Sequence, residues 1–126
     1  MRLILFAAAG GALGAGARHF INTTMLAWLG PGFPWATLTV NIVGSLLMGA
    51  LVQALMPFDG GTPALRVFLA TGVLGGFTTF SAFSLDAWLL YERQQHTALA
   101  LYLAVSVLLS IAALFFGMAL VRGVTR

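Results

Sequence analysis

Four apolar stretches, each long enough to cross a bilayer as a helix and divided by short clusters of proline, glycine and charge, leave this chain one class of fold. About 20 apolar residues suffice for a crossing. The first stretch runs from Leu3 to Leu29 and stops at the turn Gly30-Pro31-Gly32-Phe33-Pro34. The second runs from Trp35 to Met56, before Pro57 and the polar loop Asp59-Gly60-Gly61-Thr62-Pro63. The third, Ala64 to Tyr91, is too long for one flush crossing, and the fourth, Thr97 to Val121, carries no charge. Lipid offers the backbone no hydrogen-bond partners, so such spans must be helices. The prediction is an all-α integral membrane protein, a single four-helix unit over residues 1–126, with two short connections that make the bundle run up and down.

Charge narrows the function classes. Only 7% of the residues are charged, against about 25% in a soluble domain, which leaves no room for a separate soluble unit. The chain has no cysteine, so disulfides and thiolate metal sites are excluded. Six arginines against three acids give a net charge of +3. In a membrane protein this bears on orientation and on attraction for anions, and no nucleic-acid partner is expected. Arg2, Arg66, Arg122 and Arg126 fall on the side of both termini and Arg93 lies opposite beside Glu92, which leans toward a cytoplasmic amino terminus. The start, Arg2 followed by LILFAAAGGALGAGA, has the charged, apolar and small-residue succession of a secretory leader. Apolar character resumes beyond Arg18, at Phe20, Ile21 and Met25 to Leu29, so a retained first span is expected.

The segment Gly75 to Asp86 (GGFTTFSAFSLD) concentrates glycines, hydroxyls, phenylalanines and one carboxylate inside the third span. Irregular backbone at membrane depth is tolerated only where protein buries it or water reaches it. A helix broken in mid-membrane is therefore predicted here, as the first place to look for a conduction path.

Polar residues also recur at helical period. Thr37, Asn41 and Ser45 share one face of the second span, and Tyr102, Ser106 and Ser110 share one face of the fourth. The third span adds Thr78, Thr79, Ser81 and Ser84. A lone hydroxyl in a membrane helix is most simply bonded to its own i−4 carbonyl, and a lone Asn to a neighbouring helix. Two regular stripes beside a broken helix favour a pathway instead. The stripes of the second and fourth spans hold donors and no carboxylate, which suits an anion better than a cation or a proton. Phenylalanine in lipid is ordinarily packing, but the positive ring edge can hold an anion without a formal charge. Phe80 and Phe83, flanked by hydroxyls in the expected break, are the candidates. Arg18 interrupts the first span and either snorkels to the interface or supplies a cation to a vestibule that concentrates anions. Asp86 either pairs with a cation or caps a helix start, while Trp28, Trp35, Trp88 and Tyr91 fit the interfacial aromatic belts.

Small residues recur four apart at Ala7/Gly11, Gly10/Gly14, Ala12/Gly16, Ser45/Gly49 and Gly72/Gly76. Such positions let helices approach closely, within one subunit or across a dimer interface. Because four thin spans are few for enclosing a pathway, assembly is the expectation.

Taken together, GGALGAGARHF ending the first span, Thr37-Leu38-Thr39-Val40-Asn41 with Gly44 and Gly49, and the run from Gly72 to Ser84 (GVLGGFTTFSAFS) resemble the small fluoride channels of the Fluc (CrcB) family, across essentially the whole chain. The resemblance implies an antiparallel, dual-topology homodimer with two pores, each lined by both chains, that passively exports fluoride. Carried over by residue, it implies Asn41 as a pore-lining amide, Phe80 and Phe83 as anion contacts, and Ser106 and Ser110 as a polar track with Tyr102 nearby. It also implies a structural sodium ion (Na+) held by the backbone carbonyls of Gly75 and Thr78 with their two-fold mates. Thr37 joins the candidate pore residues through its stripe, and Arg18 is the vestibule candidate. Three positions depart from the family's usual residues: Ala82 for threonine, Asp86 for glutamate and Ala36 for glycine. The arginine bias fits dual topology poorly, so a heterodimer with an inverted homologue stays open beside the homodimer.

Two rivals remain at this stage. A small four-helix multidrug or cation exporter would place a glutamate in the first span, where this chain has none. A purely structural subunit would explain the glycines but not the polar stripes. No carboxylate pair, histidine cluster or activated nucleophile points to an enzyme.

Overall fold

Gly30 ends the first helix because its φ of 78° lies in the left-handed region, and its N–H closes the last turn on the Leu26 carbonyl at 2.9 Å. The structure is a computed structural model, and it describes residues 2–55 and 63–125. Helix α1 (Arg2–Leu29) and α2 (Trp35–Leu55) form the first two spans. The third comprises α3 (Pro63–Arg66), a π-helical segment π1 (Val67–Leu74), α4 (Gly75–Phe77) and α5 (Phe80–Glu92). The fourth is α6 (His96–Thr125). Among the described residues four helical spans are long and apolar enough to cross a membrane, two of them Pro63–Glu92 and His96–Val124. The expected end of span two at Met56, the loop from Pro57 to Thr62 and Arg126 lie outside the described residues.

Several expectations need refinement. Arg18 and His19 do not interrupt the first span, since α1 runs through both. The fourth helix extends past Val121 and includes Arg122, whose guanidinium donates to Gln53 Oε1 at 3.3 Å. This contact sets the end of α6 beside the end of α2. At the opposite end Arg93 donates to the Pro31 carbonyl at 3.2 Å, joining the two short connections. The helices therefore run up and down. Gln94, with φ of 60°, makes the sharp turn between α5 and α6, and Gln95 N–H reaches back to the Leu90 carbonyl at 3.0 Å.

Packing follows the small residues. α2 lies along α6, and α1 lies along the third span. A Cβ on Gly10 would come within 2.8 Å of the Val73 nitrogen, and one on Gly14 within 2.7 Å of the Phe77 nitrogen. Gly72 and Gly76 answer from the other side against Gly10 and Gly11, and Gly49 meets the Leu114 backbone. Of the two uses open to the pairs Gly10/Gly14 and Gly72/Gly76, close approach within the subunit is the one observed. Gly16, by contrast, faces open space. Lipid is as apolar as a leucine side chain, so close backbone approach rather than apolar burial holds these helices together. The buried apolar cluster is correspondingly small: Phe83, Leu90 and Tyr102, with Phe33, Leu38, Ala98 and Leu99 against it.

Candidate functional site

The third span breaks at two residues. Thr78 (φ −82°, ψ 156°) and Thr79 (φ −154°, ψ 126°) are extended between α4 and α5. Phe80 and Phe83 therefore do not lie in the break, as the sequence reading had them, but on the first turn and a half of α5. The capping residue is Thr79, whose hydroxyl oxygen accepts the Ala82 N–H at 3.2 Å and lies 3.2 Å from Ser81 Oγ. Asp86 lies inside α5, so its possible capping role is corrected.

An extended pair in a membrane helix frees backbone groups that lipid cannot satisfy. Two neighbouring helices supply partners. Asn41, on α2, accepts the Thr79 N–H through Oδ1 at 2.8 Å and donates Nδ2 to the Thr79 carbonyl at 3.1 Å. From α1, Arg18 Nε donates to the Gly76 carbonyl at 3.1 Å. Gly44 makes room on α2, because any Cβ there would overlap the Thr78 methyl.

Beside the break opens a cavity of about 370 Å³, lined by Asn41, Ser45, Thr78, Thr79, Phe80, Phe83, Ser106 and Ser110 among others. Five of the seven sequence-predicted pore residues thus meet on one space, Asn41, Phe80, Phe83, Ser106 and Ser110. The phenylalanine rings stand 5.6 Å apart, tilted by 51°. Phe83 is buried against Tyr102 at 5.1 Å, whereas Phe80 is 78% exposed.

The hydroxyls divide into two kinds. Thr78 Oγ1 donates to the Leu74 carbonyl and Ser84 Oγ to the Phe80 carbonyl, both at 3.0 Å and both at i−4 spacing. These two follow the local-bonding pattern. Ser106 Oγ and Ser110 Oγ do not: both are buried and neither has a hydrogen-bond partner. An unsatisfied buried hydroxyl typically costs about 1–3 kcal/mol, so this pair on one cavity wall needs a partner that the protein's own groups do not supply.

Thr37 and Tyr102 lie elsewhere. Tyr102 is fully buried, donates its hydroxyl to Asp86 Oδ2 at 3.2 Å, and backs Phe83 instead of lining the cavity. Thr37 borders a separate cavity of about 130 Å³ near the α1–α2 turn, with Asp86 and Arg93. Helical spacing put Tyr102 on the face of Ser106 and Ser110 but could not say that its ring would pack against Phe83.

The sodium expectation can be tested against the donors. In an unbroken helix Thr79 N–H would serve the Gly75 carbonyl and Ala82 N–H the Thr78 carbonyl. Here the first goes to Asn41 and the second to Thr79 Oγ1. Both carbonyls lose their helical donors, and hard carbonyl oxygens of this kind fit a sodium ion. Among the described residues no group of three or more histidine, aspartate or glutamate side chains could hold a metal ion.

Sequence reasoning missed Thr79 as the cap and as the partner of Asn41. A threonine three residues before the Ala82 nitrogen is the ordinary signal of a helix start and could have located the break. It also missed Asn22, which borders two cavities, and π1, for which the sequence carries no cue.

Residues 5–118 match the family described as CrcB-like protein, Camphor Resistance (CrcB). The chain is 53% identical over 113 residues to the fluoride-specific ion channel FluC of Sphingopyxis alaskensis, covering 90% of each. It is 52% identical over 122 residues to that of Rhodospirillum centenum, covering 97% of each. To that of Rhodopseudomonas palustris it is 55% identical over 117 residues, covering 92% of this chain and 94% of the relative.

Proposed function

The chain belongs to the CrcB family, and from the site's chemistry we infer that it is a fluoride-specific channel, a multi-pass protein of the bacterial plasma membrane that lets fluoride leave the cell down its gradient. The carrying observation is the pair of partnerless buried hydroxyls, Ser106 Oγ and Ser110 Oγ, on the cavity that Asn41, Phe80 and Phe83 also line. Fluoride is small, strongly hydrated and the best hydrogen-bond acceptor among the halides. Neutral donors can replace its water, whereas chloride, larger and a weaker acceptor, gains less from them. Conduction also requires binding weak enough for release. Hydroxyls and ring edges meet that requirement better than a buried guanidinium would.

Each residue contributes a definable part. The serine hydroxyls donate toward the cavity along one face of α6. Asn41 Nδ2 carries two hydrogens; one is taken by Thr79, which leaves the other for the cavity. The positive edges of Phe80 and Phe83 supply a charge-free contact. The first span carries no glutamate of the kind a cation or drug exporter would need.

Assembly is part of the proposal. Phe80 is 78% exposed in the single chain and opens onto the cavity wall. A second, inverted copy would cover that face and close two equivalent pores, because a two-fold interface repeats every contact. The same operation would bring a second pair of Gly75 and Thr78 carbonyls to a shared sodium ion, whose charge would hold the broken helices together. Arg2, Arg66 and Arg122 outnumber Arg93 across the described ends, so an inverted homologue is the alternative partner. The test is anion efflux from liposomes containing the purified protein. Fluoride should leave far faster than chloride, and comparable rates would reject the reading.

A further inference from the structure

Five aromatic rings form an unbroken series from the turn between α1 and α2 to the large cavity. Trp35, at the start of α2, stands 4.7 Å from Phe33. Phe33 meets Tyr102 at 5.5 Å, with the two ring planes at 89°. Tyr102 lies 5.1 Å from Phe83, and Phe83 lies 5.6 Å from Phe80. Of the five, Phe33 alone lies outside a helix.

We propose that Phe33 is a positioning residue for the anion contact at Phe83: it fixes the Tyr102 ring, and Tyr102 in turn sets the angle at which Phe83 meets fluoride. The proposal rests on the channel reading above and names what orients one of its contacts. Orientation decides the sign of that contact, because the edge of a phenyl ring is positive and its face negative. A ring turned face-on repels the ion that its edge would hold. The second side-chain torsion of phenylalanine is broad, so the residue's own preferences leave the ring angle to its neighbours. Phe83 has Phe80 on one side, 78% exposed, and the fully buried Tyr102 on the other. The firm side is Tyr102. Its hydroxyl donates to Asp86 at 3.2 Å, which pins the tip. That bond lies close to the ring's long axis and leaves rotation about the axis free. Phe33, set at right angles to the same ring, removes that freedom. Phe33 is itself tied down. Its carbonyl accepts the Trp35 N–H at 2.8 Å, and Arg93 donates to the neighbouring Pro31 carbonyl at 3.2 Å. Its side chain packs against the buried cluster of Phe83, Leu90 and Tyr102. A residue of the surface turn thus reaches the anion contact through one intervening ring.

Phe33→Leu removes the ring but keeps an apolar side chain in the turn, whereas Phe33→Tyr keeps the ring. In liposome efflux at low fluoride, Phe33→Leu should lower the rate by roughly threefold or more, the scale of one lost aromatic pair. The deficit should shrink as fluoride is raised, because a misaligned ring weakens the hold on the ion and concentration makes up for it. Phe33→Tyr should stay within about twofold of wild type at every concentration. A side chain that only packs would leave fewer intact channels, and the deficit would then be the same at all concentrations. That result would overturn the proposal, as would an unchanged rate in Phe33→Leu or an equal deficit in Phe33→Tyr. If Phe33→Leu fails to elute as a folded species, Phe33→Met carries the same comparison with the same outcomes, since its flexible chain fills irregular space without fixing a neighbouring ring. A wild-type protein that passes both halides equally would instead defeat the channel reading, so the two failures are distinct.

Discussion

Asn41 and Thr79 are joined by two hydrogen bonds, Thr79 N–H to Oδ1 at 2.8 Å and Nδ2 to the Thr79 carbonyl at 3.1 Å. One amide side chain thus satisfies both backbone groups of a residue that helix geometry has abandoned. In lipid those groups have no solvent to turn to. Asn41 is therefore a brace for the broken helix as well as a wall of the cavity.

Asn41→Ala should affect two properties at once. It removes both bonds to Thr79, and hydrogen bonds between membrane helices average about 0.6 kcal/mol with a maximum near 1.7. A loss of roughly 1–3 kcal/mol is expected, seen as a lower melting temperature of the detergent-solubilised protein, along with slower fluoride efflux. Normal melting with slow efflux would mean that the amide acts on the ion alone.

Ser106→Ala and Ser110→Ala should separate function from stability. Neither hydroxyl has a partner to lose, so removal leaves no orphan behind and should change stability by less than about 0.5 kcal/mol, or raise it. Fluoride efflux should fall, more in the double variant than in either single one. Undiminished efflux in the double variant would remove the serine track from the path.

Phe80→Ile and Phe83→Ile should differ in kind although both remove a ring edge. Phe80 is 78% exposed in the subunit, and its change should slow efflux with the fold intact. Phe83 is buried with its ring 5.1 Å from that of Tyr102 and tilted by 43°, and the Tyr102 hydroxyl is held by Asp86. Losing an aromatic pair costs about 0.5–1.5 kcal/mol beyond its area, so Phe83→Ile should also melt lower. Equal stability for the two variants would show that the Tyr102 contact is not holding Phe83.

The limits of sequence legibility follow the same residues. Spans were readable because apolar length alone decides them, and the region of the break was readable from its hydroxyls and glycines. Its register was not, since the choice of Thr78 and Thr79 depends on an asparagine 38 positions away. The stripes correctly brought Asn41, Ser106 and Ser110 together. Spacing could not tell the i−4 bonded Thr78 and Ser84 from the orphaned Ser106 and Ser110, because that difference lies in rotamers and neighbours. Nor could it reveal that Gly10, Gly14 and Gly72 are consumed inside the subunit, because a small residue looks the same whichever helix it meets.

Gly44→Ala tests whether the break is held by shape as well as by hydrogen bonds. A Cβ at this position would overlap the Thr78 methyl and stand 3.3 Å from the Phe77 ring. Thr78 has little freedom to yield, since its N–H and its hydroxyl both bond the Leu74 carbonyl at 3.0 Å. Overpacking of this sort commonly costs about 1–3 kcal/mol. Relief requires Thr78 to move away from α2, which would draw Thr79 from Asn41 and change the cavity wall on which both residues lie. The variant should therefore melt lower and conduct fluoride more slowly, whereas Gly16→Ala, with open space at its Cβ, should retain wild-type melting in the isolated subunit. A Gly44→Ala protein that melts and conducts as wild type would show that the break tolerates displacement, and that the two hydrogen bonds alone define it.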